Sequence, residues 1–472
     1  MFGSWLAQFV LCGIAFHWIP RTVHDFGGLP WAAGAAALAL FAASGHLFLV
    51  LAGLLFAVAR DRLRLSPGAQ RALLPFLTAA CWESVPMLFP WNLGYPWLAA
   101  GLPVFQLAEF VGFGGLGLLT LLLNLALLAA WERRRERAGA FLLAGAAGFL
   151  LLMNGAGRLA AAILSPPDAT ARILVVQGNV ASFEKAAAES GEDARIAVLK
   201  RYLRLTRQGL SEAGRSPDFA VWPETAYPEP LEEGAAGRGL ALVLREFLRG
   251  HALPLVTGAP GAEAGGGRRT NSMAFLGPDG GLADRRYDKT RLLPFGERLP
   301  LAGAFPGIRR LLPRSGDFAP GPGPGIRRLS GIRIGPQICY EGLFPGISRE
   351  LAARRAQLFV NVTNDSWFGT WAEPRQHLYM TMARGIEFRR PILRATNTGI
   401  TAAMAAGGSF LAVSPQGVEW VHLYEVPFRR EPGPTFYQSY GYRLVPAVPW
   451  LAIACILLAG RKAPFPATDP AG

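Results

Sequence analysis

The chain is short of cysteine, lysine, histidine and charge. Its 472 residues include four cysteines and six histidines, and 17% are charged, against about 25% in an ordinary soluble chain. With no CxxC pair and no Cys/His cluster, the cysteines give neither a disulfide framework nor a legible zinc site. Cys12, Cys81 and Cys455 stand in apolar stretches, and only Cys339 lies in a polar part of the chain. Such a cysteine is a candidate nucleophile, although taken alone it reads as an inert buried thiol. Low charge combined with 51% hydrophobic residues excludes intrinsic disorder. Lysine is as scarce as cysteine: Lys185, Lys200, Lys289 and Lys462 stand against forty-three arginines. Each retained lysine therefore raises the question of why arginine would not serve.

What is present is long apolar sequence. The mean hydropathy of +0.26 is the average of two unlike parts. Residues 1–165 are almost continuously apolar, with spans at about 3–19, 30–58, 72–89, 103–130 and 139–163, and a shorter one at about 445–460. Each of the first five approaches or exceeds the ~17–20 residues that cross a bilayer as a helix. The formal charge of +14 raises nucleic acid as a partner. The basic residues instead sit in short runs between spans: Arg60, Arg62, Arg64 and Arg71; Arg133, Arg134, Arg135 and Arg137; Arg461 and Lys462. That placement is membrane topology, with the even-numbered loops cytoplasmic. The long segment between the fifth and sixth spans then faces outward, into the periplasm of a bacterium with two membranes, and no nucleic-acid partner is needed.

The expected organisation is a helix bundle of about five spans over residues 1–168, an outer catalytic domain over 169–432, and a last helix with a cytoplasmic tail over 433–472. Strand candidates in the outer domain are Arg172–Gln177, Phe219–Trp222, Leu253–Thr257, Ser272–Leu276, Ile332–Cys339, Leu358–Thr363 and Ile400–Ala405. Helix candidates are Asp193–Ala213, Gly239–Arg249, Gly346–Ala356 and Arg375–Arg389. Alternating strands and helices predict an α/β domain with helices covering sheet faces.

Four strand-end segments carry chemistry. They are Val221-Trp222-Pro223-Glu224; Tyr287-Asp288-Lys289-Thr290-Arg291 with Glu297 beyond it; Gln337-Ile338-Cys339-Tyr340-Glu341; and the run from Asn361 to Gly369. A glutamate, a lysine and a cysteine at the ends of different strands make a coherent set. The thiolate is the nucleophile, a nearby ammonium lowers its pKa, and a carboxylate in a dry pocket takes the proton. The ammonium and a backbone N–H can hold a tetrahedral oxyanion. A compact point charge suits that task better than a planar fork, which singles out Lys289. His377 reads as structural, because no acidic partner is evident beside it in the sequence.

WPE, YDK with a glutamate eight residues on, and CYE, in this order, resemble the Glu–Lys–Cys signatures of the nitrilase superfamily. NDSWFG at 364–369, EPRQH at 373–377, ARGIEFRRPILRATNTGITA at 383–402, HDFGGLP at 24–30 and FPWNLGYP at 89–96 narrow the resemblance to apolipoprotein N-acyltransferases. It covers almost the whole chain. It implies a nitrilase-type αββα sandwich inserted between transmembrane helices of a polytopic inner-membrane protein. Cys339 would be the nucleophile, Glu224 the general base and Lys289 the oxyanion cation. Glu297 would orient Lys289, Tyr340 would lend its N–H to the oxyanion hole, and Glu341 would support the site. Asn364, Trp367 and Phe368 would wall the substrate pocket.

The implied reaction takes an acyl chain from a membrane phospholipid as a thioester. It then passes the chain to the α-amino group of the diacylglyceryl-cysteine that begins an apolipoprotein. No cofactor or metal is called for, and the enzyme would act as a monomer. A membrane-tethered amidase or lipid hydrolase, or an inactive lipid-binding scaffold, are the alternatives. Relative to the family the chain begins near the usual third helix, and the Pro and Trp that follow the first strand's Gly-Asn are replaced in Gly178-Asn179-Val180-Ala181-Ser182-Phe183-Glu184-Lys185.

Overall fold

The computed structural model describes residues 2–460, apart from 64, 182–183, 185–190, 232–238, 264–266, 301, 306, 313–314 and 370–371. Arg64, then Ser182, Phe183 and Lys185 of the segment where the Pro and Trp are replaced, and the tail residues Arg461 and Lys462 lie outside the described residues. The chain divides into two compact units: Met1–His17, Leu38–Arg158 and Tyr440–Gly472 form one, and Trp18–Ala37 with Leu159–Ser439 form the other.

The first unit is helical. Among the described residues, four helical stretches are long and apolar enough to cross a membrane: Trp31–Arg62, Pro103–Glu132, Arg137–Ala162 and Tyr437–Ala459. A fifth is possible if the pair Phe2–Ala15 and Ile19–Asp25, bent by 51°, is one span. The expected third span, 72–89, instead forms the helix Pro67–Ser84, which starts at a Ser66 cap and is not among the candidate spans. Gln70, Arg71, Trp82 and Glu83 dilute its apolar character. Its residues Leu73, Leu77, Ala80, Cys81 and Trp82 pack with Phe48, Ala52 and Ile453 into the core of this unit. By contrast, Phe141, Leu143, Leu151, Leu152 and Leu159 of the helix Arg137–Ala162 are exposed. A helix that leaves such side chains outward is suited to lipid, not water.

The second unit contains two six-stranded sheets, in the orders β12-β1-β2-β3-β4-β5 and β11-β10-β9-β8-β7-β6. The first comprises β1 (Ala169–Gln177), β2 (Phe219–Val221), β3 (Leu255–Ala262), β4 (Arg269–Leu276), β5 (Leu282–Asp288) and β12 (Trp420–Phe428). The second comprises β6 (Arg327–Leu329), β7 (Ile332–Ile338), β8 (Leu358–Thr363), β9 (Ile392–Thr396), β10 (Ala402–Met404) and β11 (Phe410–Val413). Parallel neighbours β1/β2/β3 and β7/β8/β9 form the sheet centres, and antiparallel strands flank them. The first and last strands of the domain pair over their whole length, from Ala169 opposite Phe428 to Gln177 opposite Trp420.

The strand pleat explains the layering. Leu174 and Val176 of β1 join the core that Leu199, Tyr202 and Leu203 of the helix Glu192–Glu212 share with Leu244 and Leu248 of the helix Gly239–His251. The alternate residues Ile173 and Val175 are equally buried on the opposite face, as a period of two requires. The helices Pro345–Ala353 and Glu373–Phe388 belong with the second sheet, and nearly every residue of the latter is buried. The result is the αββα arrangement expected from the sequence.

Candidate active site

Strand ends deliver the loaded side chains. Glu224 follows β2, Lys289 follows β5 and Cys339 follows β7. All three are buried, with Lys289 only 1% exposed. Lys289 Nζ donates to Glu297 Oε1 at 2.9 Å and to Glu224 Oε1 at 3.5 Å. Asn271 of β4 spans the two carboxylates: its Nδ2 donates to Glu224 Oε1 at 2.6 Å and to Glu297 Oε1 at 2.7 Å. The remaining oxygens are held by backbone: Glu224 Oε2 accepts from the Asn364 N–H at 2.8 Å, and Glu297 Oε2 from the Leu293 N–H at 2.7 Å. A cation and two carboxylates are thus kept dry with their hydrogen bonds satisfied, which a buried ion cluster requires.

Burial alone would lower the Lys289 pKa, but the adjacent Glu297 and Glu224 charges outweigh it and hold the ammonium above its ordinary value. The Cys339 thiol moves the other way from the sequence expectation. Burial and the Glu224 charge push its pKa well above the ordinary value, and Lys289 opposes them without prevailing. A thiol shifted this way holds its proton more tightly, so attack by its sulfur would call for a base to take that proton.

Glu341 binds the ends of β5 and β7 together. Its Oε1 accepts from the Thr290 N–H at 2.7 Å, the Thr290 hydroxyl at 2.8 Å and the Tyr287 hydroxyl at 2.9 Å. Its Oε2 accepts from the Ile338 N–H at 2.8 Å. The strand carrying Lys289 and the strand carrying Cys339 are fixed through one carboxylate.

Three residues with positive φ mark the same place: Thr225 (52°), beside Glu224; Phe295 (67°), two before Glu297; and Cys339 itself (51°). Side chains with a Cβ rarely adopt this region, and such strain collects at functional sites. Gly258 is needed for a different reason: a Cβ there would lie 2.5 Å from Glu224 Cα.

The three expected pocket residues occupy different places. Asn364 gives its N–H to Glu224, and its Oδ1 accepts from Asn397 Nδ2 at 3.0 Å. Trp367 stacks on Phe26 with ring centroids 4.0 Å apart, and Phe368 meets Trp18 edge-on at 5.2 Å. Trp18 and Phe26 belong to the 18–37 segment, which the sequence reading groups with the membrane helices and the structure groups with this unit. Trp18 Nε1 also donates to Gln376 Oε1 at 3.2 Å.

His377 does have acidic partners, contrary to expectation. Its Nδ1 lies 3.1 Å from Asp365 Oδ1 and 3.5 Å from Glu373 Oε1. Glu373 and His377 stand one helical turn apart on Glu373–Phe388, whereas Asp365, in the short helix Asp365–Trp367, joins them only in space. Asp365, Glu373 and His377 offer ligand atoms within 4.8 Å of one another. Arg394 already supplies the positive charge there, with Nη2 donating to Asp365 Oδ2 at 2.6 Å. Burial and the Arg394 charge lower the His377 pKa against the pull of Asp365. Burial and the Asp365 charge raise that of Glu373 well above its ordinary value.

Sequence reasoning assigned no role to Asn271, Tyr287, Asn361 or Arg394. The available signal was polarity where a strand should be apolar: Thr270-Asn271-Ser272 opens β4, and Arg394 interrupts Ile392–Thr396.

Comparison with known proteins follows the same division of the chain. Residues 176–429 match the carbon-nitrogen hydrolase family, and residues 1–126 match the apolipoprotein N-acyltransferase N-terminal domain. An apolipoprotein N-acyltransferase of Bdellovibrio bacteriovorus is 37% identical over 466 residues, covering 96% of this chain and 84% of that protein. One from Geobacter metallireducens is 32% identical over 443 residues, covering 90% of this chain and 80% of that protein. Among solved structures, an amidase from Nesterenkonia sp. AN1 is 18% identical with a TM-score of 0.42, covering 60% of this chain and 98% of that one. On the strength of the two sequence relatives, the chain belongs to the apolipoprotein N-acyltransferases, a membrane-bound branch of the carbon-nitrogen hydrolase family.

Proposed function

We propose that this protein is an acyltransferase that moves an acyl chain from a membrane phospholipid to an apolipoprotein, with Cys339 as the covalent carrier. The observation that carries the reading is the buried Lys289–Glu224–Glu297 cluster, whose charges act directly on the Cys339 thiol. Glu224 takes the thiol proton as sulfur attacks the ester carbonyl. A C–S bond forms, and the tetrahedral oxyanion is held by Lys289 and the Tyr340 N–H. The C–O bond breaks, Glu224 returns the proton to the leaving oxygen, and a lysophospholipid departs. The α-amino group of the acceptor's diacylglyceryl-cysteine then attacks the thioester. Its proton passes through Glu224 to the departing sulfur, which leaves an amide and a regenerated thiol. Glu297 keeps Lys289 oriented, and Glu341 keeps the Lys289 and Cys339 strands in register. Asn364, Trp367 and Phe368 wall the acyl pocket.

In this reading residues 169–432 form the catalytic domain on the periplasmic side of the inner membrane. Residues 1–168 and 433–472 anchor it, and the enzyme works as a monomer. Both substrates are lipid-anchored, so a catalytic domain tied to apolar helices meets them at the bilayer surface. The test supplies the full-length enzyme with phospholipid vesicles and a diacylated lipopeptide, and follows the lipopeptide by mass spectrometry. N-acylated lipopeptide is expected. Free fatty acid alone would make the protein a lipid hydrolase.

A further inference from the structure

Behind the nucleophile lies a second buried charge cluster that the reaction scheme does not use. Arg394 is fully buried on β9. Its Nη2 binds Asp365, as described, and its Nη1 donates to Asn361 Oδ1 at 3.3 Å, with the Thr381 and Thr363 hydroxyls at 3.4 and 3.5 Å. From Arg394 two arms converge on one atom, the carbonyl oxygen of Cys339. Asn361 Nδ2 donates to it at 3.2 Å. His377, seated on Asp365 through Nδ1, brings Nε2 within 3.3 Å of it. The Cys339 carbonyl and the Asp365 carboxylate both only accept, so the ring donates to both when each nitrogen carries a proton, as the imidazolium.

The peptide linking Cys339 to Tyr340 is planar and trans, so its C=O and N–H point in opposite directions. Two donors that fix the carbonyl therefore fix the aim of the Tyr340 N–H. Something must do so, because Cys339 sits at a φ of 51°, where a residue with a Cβ is held only by its surroundings. We propose that Asn361 and the Asp365–His377 pair, both seated on Arg394, are positioning residues that aim the Tyr340 N–H at the oxyanion formed when Cys339 is acylated. The proposal rests on the reading of Cys339 as the acylated nucleophile.

The two arms then matter only where an oxyanion develops. Acylation of Cys339 by phospholipid forms one. Alkylation by iodoacetamide does not: sulfur displaces iodide in a single step, the S–C bond forms as C–I breaks, and the thiol proton leaves to base. The experiment measures both rates on the full-length enzyme in detergent micelles, with phosphatidylethanolamine as donor and intact-protein mass spectrometry as readout. His377→Gln keeps an N–H donor near the Nε2 position, whereas His377→Asn is too short to reach. Asn361→Asp keeps the shape and the Arg394 contact but loses the donor. His377→Asn and Asn361→Asp are expected to acylate about 10- to 100-fold more slowly, a fraction of what losing an oxyanion donor outright costs. Both should still alkylate within about threefold of wild type, and His377→Gln should stay within about threefold on both measures. Two positions on separate elements guard against one variant failing to fold. The proposal is overturned if acylation and alkylation fall together, if neither falls, or if His377→Gln behaves like His377→Asn. A wild-type acyl adduct on a residue other than Cys339 would overturn the nucleophile assignment itself, and this proposal with it.

Discussion

The Lys289 cluster and the Arg394 cluster lie in the same domain, are equally buried, and each neutralises carboxylates close to Cys339. They differ in the cation. The Lys289 ammonium is a point charge set against Glu297 and Glu224. The Arg394 guanidinium is a planar fork that spreads over Asp365, Asn361, Thr363 and Thr381. A point charge can follow a charge that moves during reaction, as an oxyanion forms and collapses. A fork with fixed directions holds several oxygens in one arrangement. In a chain with forty-three arginines and four lysines, the choice at these two positions matches the roles proposed above, a cation for the chemistry and one for its frame.

That contrast can be broken at either end. Lys289→Arg should lower kcat/KM by about 10³-fold or more in the lipopeptide assay, since the fork cannot occupy the space of an ammonium between two carboxylates. An active Lys289→Arg enzyme would erase the distinction. Asn271→Leu removes two hydrogen bonds to charged carboxylates and should lower kcat by about 10²-fold, with a smaller change in KM. Arg394→Lys can still meet Asp365 but cannot also reach Asn361. It should destabilise the domain by about 2–4 kcal/mol in chemical denaturation, as a damaged buried pair does, and slow acylation more than alkylation.

The pH dependence sharpens the same point. A thiol whose pKa is raised keeps its proton longer, so its reactivity rises with pH over a higher range. The half-rise of native Cys339 alkylation should lie at higher pH than in the denatured chain, where it falls near the ordinary thiol value of ~8.5. A native half-rise at or below that value would mean that Lys289, not burial, sets the thiol. The smallest effect belongs to a pair at the surface. Arg201→Ala, which breaks the partly exposed contact with Glu184, should change stability by no more than about 1 kcal/mol.

Much of this was readable before any coordinates. Ile332–Cys339 and Leu358–Thr363 were legible as strands in an alternation of strands and helices, and the motif order brought Glu224, Lys289 and Cys339 forward. Strands β5, β6, β9, β11 and β12 were not anticipated. β5 reads Leu-Ala-Asp-Arg-Arg-Tyr-Asp, an edge strand whose charges disguise it, and β12 has His422 on one face and Glu425 on the other, which breaks the apolar alternation. The Asp365–His377 contact was invisible because twelve residues separate partners that meet only when the helix Glu373–Phe388 is packed. The thiol's raised pKa was misjudged because a charge partner can be read from a motif and full burial cannot.

The pairing of β1 with β12 has a mechanical consequence. Ala169 and Phe428 are partners at one end of the ladder, so these ends of β1 and β12 lie one strand spacing apart, about 5 Å. Tension applied to both would act across the ladder at that end. The hydrogen bonds would be opened one after another, like a zipper, instead of being sheared together. Such a geometry yields at low force. The ladder is therefore weakest to pulling at these two strand ends, where β1 and β12 would part first.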